Sequence, residues 1–317
     1  MSGARVKVHE KLGTVVYTKY GYIDKNGNIA INYEYYFAGD FSEGLAVVYK
    51  DGKYGYIDTN GNVVIDFQFD KAYSFSEGLA LVEKDDKYGY INTNGNVVID
   101  FQFDEAYDFS ENLALVEKHD KYGYIDSKGN VVIDFQFDKA SAFSEGLALV
   151  EKDDKYQFVS KEGNKVIDCV EYTNIGTFSD GLARVKKDGK YGYIDSNGNV
   201  VIDFQFDTAS NFSEKMAKVM KNGKYGYIDT KGDISISFSY DDEENFSEGL
   251  AVVCKDGKYG YIDTNGNIAI DFQFDDAYDF SEGLSLVKRD GKYQFINKNG
   301  KTVIDKIEMN ELIFSYY

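Results

Sequence analysis

Short apolar runs, separated by turns rich in glycine, asparagine and aspartate, follow one another along the whole chain. In the stretch from Gly78 to Phe109, Leu79-Ala80-Leu81-Val82 reads as a strand, A. Asp85-Asp86 follows, and its counterparts elsewhere are Asp51-Gly52, Asp188-Gly189, Asn222-Gly223, Asp256-Gly257 and Asp290-Gly291. Asp-Gly and Asn-Gly between β-rich runs predict two-residue hairpins, because both central positions need φ > 0. Tyr88-Gly89-Tyr90-Ile91 reads as strand B, Asn94-Gly95 as another such turn, and Val97-Val98-Ile99-Asp100-Phe101 as strand C. From Gln102 to Ser110 the chain crosses over, and Phe103, Ala106, Tyr107 and Phe109 are expected to tuck this segment against the core. The expected unit is a three-stranded antiparallel meander.

Alternation along these strands leaves both faces apolar. Tyr88 and Tyr90 point one way, Gly89 and Ile91 the other; Leu79 and Leu81 oppose Ala80 and Val82. A lone sheet cannot solvate two apolar faces, so neighbouring units must cover them, which is the logic of a repeat array. Gly55, Gly89, Gly123, Gly192, Gly226 and Gly260, inside strand B, predict close approach of another backbone or ring.

The pattern recurs nine times. The tyrosine opening strand B stands at Tyr20, Tyr54, Tyr88, Tyr122, Tyr156, Tyr191, Tyr225, Tyr259 and Tyr293, in steps of 34 residues except for one of 35 after Tyr156. A second box, Phe-Ser-Glu-Gly-Leu, begins at Phe41, Phe75, Phe109, Phe143, Phe178, Phe212, Phe246 and Phe280, with departures at Asn112, Asp180 and Lys215-Met216. Repeats five and nine break the pattern together: Tyr156-Gln157-Phe158 and Tyr293-Gln294-Phe295 replace Tyr-Gly-Tyr. Their third strands end in Cys169-Val170-Glu171 and Lys306-Ile307-Glu308, where most other repeats follow Phe-Gln-Phe. An exchange of polar and apolar faces suits an end, so repeat nine is expected to cap the array. Repeat five then marks a seam at 156–178 between residues 1–177 and 178–317, with plain drift as the alternative. The expected whole is one open, superhelical, solenoid-like array. A closed propeller-like ring is the alternative, since the chain starts near a strand A at Thr14 to Tyr17 and ends at Phe314-Ser315.

Composition sharpens this picture. Proline and tryptophan are absent, while there are 28 Tyr, 23 Phe and 31 Gly, so glycine, asparagine and aspartate must make every turn. Lys+Arg is 35 against Asp+Glu 54, a formal charge of −19. That field disfavours nucleic acid and anionic membrane surfaces. No apolar run approaches the length of a membrane span, and Met1–Gly13 lacks the core of a secretory leader. A cytoplasmic protein is therefore expected, with a secreted protein trimmed of its leader as the alternative. Cys169 and Cys254 fall in different phases of the repeat, which predicts neither a disulfide nor a metal site.

Lys53-Tyr54-Gly55-Tyr56-Ile57-Asp58, Asn60-Gly61, Val64-Ile65-Asp66 and Phe75-Ser76-Glu77-Gly78-Leu79-Ala80 resemble the unit of the bacterial WG (KWG) repeat proteins. The resemblance covers about residues 14–315. The signature Trp is Tyr in every repeat, and the Pro after Val-Ile is Asp or Asn in all but repeat seven, which has Ser237. The resemblance implies a β-repeat without catalysis and names no general activity.

Asp58-Thr59-Asn60-Gly61-Asn62 has some likeness to a calcium loop, but its glycine is fourth rather than sixth, so a hairpin turn is expected. The repeated Asp66, Asp100, Asp134, Asp203 and Asp271 read as solvated edge or turn residues, since a catalytic constellation is normally singular. Lys53, Lys87 and Lys121 read as solvated stems beside a turn. With only His9 and His119 and no nucleophile constellation, no enzyme and no cofactor are expected. Tyr54, Tyr88, Tyr122, Tyr191, Tyr225 and Tyr259 are the candidate ligand ladder, set against the alternative that these rings are core between repeats. Two functions remain: a protein-interaction or scaffolding surface for a protein partner, and a carbohydrate or cell-envelope binder holding a glycan on the tyrosines. Near-identical repeats leave the working face, and the oligomeric state, open.

Overall fold

The computed structural model describes the backbone of residues 4–12, 15–23, 29–240, 242–281 and 283–307. Every regular element among them is a β-strand. The repeated sheet holds the expected meander and one strand more. In repeat three, Lys71–Ser76, Leu79–Lys84, Lys87–Asn92 and Val97–Phe103 follow one another across an antiparallel sheet. The last three are strands A, B and C. The first is the crossover, which pairs with strand A from Lys71↔Glu83 to Ser76↔Leu79. In several repeats it shortens to two residues, such as Phe37–Ala38, followed by a single Ser42↔Leu45 bridge.

The Phe-Ser-Glu-Gly-Leu box turns this extra corner. Glu77 (φ 52°) and Gly78 (φ 80°) are both left-handed. In repeat two, Ser42 and Leu45 exchange backbone hydrogen bonds of 2.9 and 3.0 Å across the same turn. The A–B turn is also of the expected kind, with Asp85 and Asp86 at φ 53° and 58°. The B–C turn differs from expectation. Gly95 has φ 79° but Asn94 is not left-handed. Gly95 N donates to Asn92 O at 2.8 Å and Asn92 N to Asn96 O at 3.0 Å, a three-residue loop ending in a left-handed glycine. Asn92 Oδ1 accepts from the Asn94 and Asn96 amides, both at 3.0 Å, and stiffens the loop.

The core lies between successive sheets, as two apolar faces require. Leu45, Val47, Tyr56, Ile65 and Phe69 of repeat two pack with Ala72, Phe75, Ala80, Val82 and Ile91 of repeat three. The same positions recur in later cores. The second tyrosine of Tyr-Gly-Tyr is the buried one: Tyr56, Tyr90, Tyr124, Tyr193, Tyr227 and Tyr261 lose almost all contact with water. Each hydroxyl donates to a carbonyl on the following crossover, Tyr90 to Tyr107 O at 2.6 Å and Tyr193 to Ser210 O at 2.8 Å. Its ring tilts against the box phenylalanine, as in Tyr90–Phe109 at 5.0 Å. The loop glycine of one repeat rests on the isoleucine before it; a Cβ on Gly95 would stand 3.2 Å from Ile65.

The strand B glycine answers a bulge. Between Tyr88↔Phe103 and Tyr90↔Ile99 strand C advances four residues against two. The surplus folds inward, so that a Cβ on Gly89 would meet Ile99 O at 2.7 Å. Repeat five has no such double step: Gln157↔Asp168 and Phe158↔Ile167 run in simple register, and strand C stops at Asp168. Without the bulge, Gln157 fits. The expected exchange of faces in repeat five is overturned. Cys169 and Tyr172 keep the buried side while Val170 is exposed. The additional residue moves the closing aromatic from position 171 to Tyr172, whose ring meets Phe204 at 6.0 Å. The cap expected from Lys306, Ile307 and Glu308 lies outside the described side chains, as do Thr14 and Phe314-Ser315.

The described residues form two compact units: those within 4–154 together with Ser160–Asn164, and Lys155–Val159 together with those within 165–307. Within each, every sheet packs on its sequence neighbours in the manner described.

Candidate functional site

The candidate tyrosines are all half-buried, unlike their fully buried neighbours two residues on. Each sits third in a row running across its sheet, from crossover to strand A to strand B. The rows are Phe37-Tyr49-Tyr54, Lys71-Glu83-Tyr88, Glu105-Glu117-Tyr122, Asn174-Lys186-Tyr191, Thr208-Met220-Tyr225 and Asp242-Cys254-Tyr259. The tyrosine is constant while both other positions vary among the repeats, although strand A carries glutamate at both Glu83 and Glu117. On the inner side the row ends on a buried ring, such as Phe103 beside Tyr88.

The tyrosines are therefore half core and half surface, and Tyr54, Tyr88, Tyr122 and Tyr191 each touch a residue of their own row. Tyr54 meets Tyr49 at 4.7 Å and Phe37 at 5.9 Å. Lys71 donates to the Tyr88 hydroxyl at 3.1 Å and pairs with the buried Glu83 carboxylate at 2.6 Å. Tyr122 donates to Glu105 at 3.2 Å. Lys186 lies over the Tyr191 ring at 4.9 Å, and Lys218 over Tyr225 at 5.8 Å. Partial burial pushes the Tyr88 hydroxyl up to about 12, so the ring stays neutral. No ring contact joins successive ladder tyrosines among the described residues, so they are separate platforms rather than a continuous stack. Tyr107, expected to tuck against the core, is instead 43% exposed, because its side of the crossover strand faces outward; sequence reasoning missed Tyr73 and Tyr278 on the other crossovers, 40 and 41% exposed. Their signal was the crossover itself, legible only once it is a strand with one face outward.

Other candidates resolve into framework. The Asp58 carboxylate accepts from the Asn60 and Asn62 amides at 2.9 Å and from the Asn62 side chain, which is the hairpin-turn reading. Asp66, Asp100, Asp134, Asp203 and Asp271 are exposed on strand C. The lysine stems are solvated, as expected, and they also reach a partner the sequence did not reveal: Lys53, Lys87 and Lys121 pair with Asp70, Asp104 and Asp138. Each aspartate also accepts the amide of the next A–B turn, at 3.0, 2.8 and 2.9 Å. Those two bonds, the lysine's first, hold the three carboxyls below the usual range. The staple joins one repeat to the next, which single-repeat reading could not reveal. The box glutamate does likewise, Glu43 accepting from Gly78 N at 3.1 Å and Glu77 from Asn112 N at 3.1 Å. Cys169 and Cys254 are buried and not joined in a disulfide.

The family model described as WG containing repeat matches residues 20–54, 54–88, 88–122, 122–156, 158–191, 191–225, 225–259 and 259–293. The chain belongs to the WG repeat family. Its tyrosine platforms stand where the WG repeat carries its signature tryptophan. A sequence search of curated proteins finds no match. Among solved structures, a crystal structure of the eukaryotic initiation factor is similar at TM-score 0.63 and 11% identity, over 97% of each chain. Kluyveromyces lactis Hsv2p matches at TM-score 0.41 and 8% identity, over 71% of this chain and 92% of that one. At these identities the initiation-factor likeness speaks for the fold alone.

Proposed function

We propose that this WG repeat protein is a non-catalytic scaffold that binds an extended protein partner along its platform rows. One observation carries the reading. Turns, staples and buried rings are near-constant between repeats, whereas the two positions flanking each platform tyrosine vary from aromatic to cationic, anionic and small. A surface that is constant in shape and variable in chemistry suits recognition of a sequence rather than of a single atom. Tyrosine supplies large contact area at low conformational cost, and several modest contacts on one scaffold multiply. His119 sits in an A–B turn, where its backbone amide donates to Asp104 as part of the repeat framework.

Photo-crosslinking residues placed at Tyr73 and Tyr107 should capture one defined protein, while the same residue at Asp100 on strand C should not. Equal capture at all three positions would remove the reading. Exposed tyrosine edges beside carboxylates, as at Tyr107 and Glu105 (3.1 Å), also favour carbohydrate as a second ligand class. A glycan array without a hit that depends on Tyr107 removes that alternative.

A further inference from the structure

Two of the platform rows begin with a lysine on the crossover. In repeat three, Lys71 faces Glu83 across the sheet. Its ammonium lies 2.6 Å from the Glu83 carboxylate, donates to the Tyr88 hydroxyl at 3.1 Å and stands 5.5 Å from the centre of that ring. In repeat five, Lys139 faces Glu151 and lies 2.8 Å from its carboxylate. Each lysine covers its glutamate, so that Glu83 and Glu151 are only 6 and 8% exposed. An ammonium held by the strand A carboxylate beside the platform tyrosine is thus an arrangement that this repeat builds for itself.

Repeat four, between them, keeps the glutamate and the tyrosine but not the lysine. Glu117 and Tyr122 stand in the places of Glu83 and Tyr88, and Glu105 stands in the place of Lys71. Carboxylate faces carboxylate here and in no other row of repeats two to nine, although like charges directly opposite one another on a sheet are destabilising. No lysine or arginine among the described residues pairs with either glutamate. The nearby lysines are engaged elsewhere, Lys87 with Asp104, Lys121 with Asp138 and Lys118 with Gln102. Glu105 Oε2 accepts from the Tyr107 and Tyr122 hydroxyls instead, at 3.1 and 3.2 Å. Glu117 is half-buried where its covered counterparts are buried. Burial raises its carboxyl above the usual value against a hydrogen bond from Tyr122, and the charges of Glu105, Asp120 and Asp104 add to the rise.

We propose that the repeat-four row receives a lysine side chain of the extended partner, whose ammonium takes the place that Lys71 and Lys139 fill in the adjoining rows. The inference rests on the scaffold reading above and adds to it the chemistry of one partner position. The ammonium donates to the Glu117 carboxylate and to Glu105 Oε1 in charge-assisted hydrogen bonds, and the Tyr122 ring beside them favours a cation. A formal charge of −19 draws a basic segment towards the chain from a distance, but only this row pairs two carboxylates. Rows six and nine already hold Lys186 and Lys288 over their own tyrosines, so the lysine position is set at one repeat rather than shared by all.

Fluorescence polarisation of the full chain with a labelled, capped peptide of valine and threonine around one lysine tests the row, at fixed ionic strength. The peptide should bind saturably, at least about tenfold more tightly than the same peptide acetylated on its lysine. Glu105→Lys rebuilds the arrangement of repeat three, so it should fold with Tm at or above wild type and weaken binding at least about tenfold. Glu105→Gln should weaken binding in the same direction. Asp100→Lys, on exposed strand C, changes the net charge as much as Glu105→Lys and should leave the affinity within about twofold. No saturable binding, equal binding of the acetylated peptide, or equal loss in Glu105→Lys and Asp100→Lys overturns the lysine assignment. Binding of calcium chloride or spermidine through Glu105 without binding of the peptide overturns it as well. Any of these results with capture at Tyr73 and Tyr107 intact leaves the scaffold reading standing and strikes the lysine alone.

Discussion

The two tyrosines of strand B illustrate how neighbouring side chains on one face of a strand divide labour. Tyr90 is sealed in the core and spends its hydroxyl on Tyr107 O, whereas Tyr88 keeps one edge in water. Tyr90→Phe should therefore cost only about 1 kcal/mol, the net worth of one hydrogen bond; phenylalanine already fills that place at Phe158 and Phe295. Tyr90→Ala should cost about 3–5 kcal/mol through the cavity it leaves. Urea titration separates the two variants by their midpoints. Asp279 offers a different residue-level test. Burial, with Glu244 nearby, pushes its carboxyl up to about 6. The folded state then holds the proton more tightly than the unfolded chain. Its contribution is fully present below about 4 and is lost as pH rises through about 6. Asp279→Asn should raise stability at pH 7 relative to wild type and flatten the pH profile between those values, followed by Tm.

At the scale of the element, the meander was legible because its signals are local. Asp85-Asp86 and its Asp-Gly counterparts set a turn with two left-handed residues, and the alternation from Leu79 to Val82 sets which side each residue faces. The crossover strand was not legible, because its turn uses Glu77 and Gly78, and glutamate rarely adopts φ near +52°. The departure of repeats five and nine was visible, but not its reason. Gln157 reads as a lost glycine until the partner strand is seen to lack its bulge. The candidate site was half legible: the tyrosine series was found, but its rows join residues from the crossover and strand A that no local motif connects. Gly89→Ala should destabilise well beyond an ordinary surface change, because the added carbon meets backbone rather than a movable side chain. Hydrogen exchange should show the loss centred on Tyr88–Phe103. Gln157→Gly should have little effect beyond backbone entropy.

At the scale of the whole molecule, stability is a sum of similar cores between adjacent sheets rather than one central core. Arrays of this kind depart from all-or-none unfolding. Scanning calorimetry should give a calorimetric enthalpy larger than the van't Hoff enthalpy, and equality of the two would contradict additive cores. The aspartate staples give the array a shared acid sensitivity. Asp70, Asp104, Asp138, Asp207 and Asp275 are all held below 3.8 by their lysine and a turn amide. Their stabilisation is present above that value and is lost as pH falls through their lower folded values. Asp138→Asn should shift the acid midpoint upward, followed by circular dichroism.

The staples and the box turns also bear on how such a gene changes length. Every link joins a position to its equivalent partner in the following copy, so Glu43 meets Gly78 as Glu77 meets Asn112 and Glu111 meets Gly146. Deleting one full period in phase, for instance from Gly78 through Glu111, would hand the Glu43 carboxylate to the Asn112 amide with no group left unmatched. Unequal crossing-over between copies would thus add or remove whole modules without breaking a bond, and the length of the array becomes a quantity that inheritance can adjust in steps.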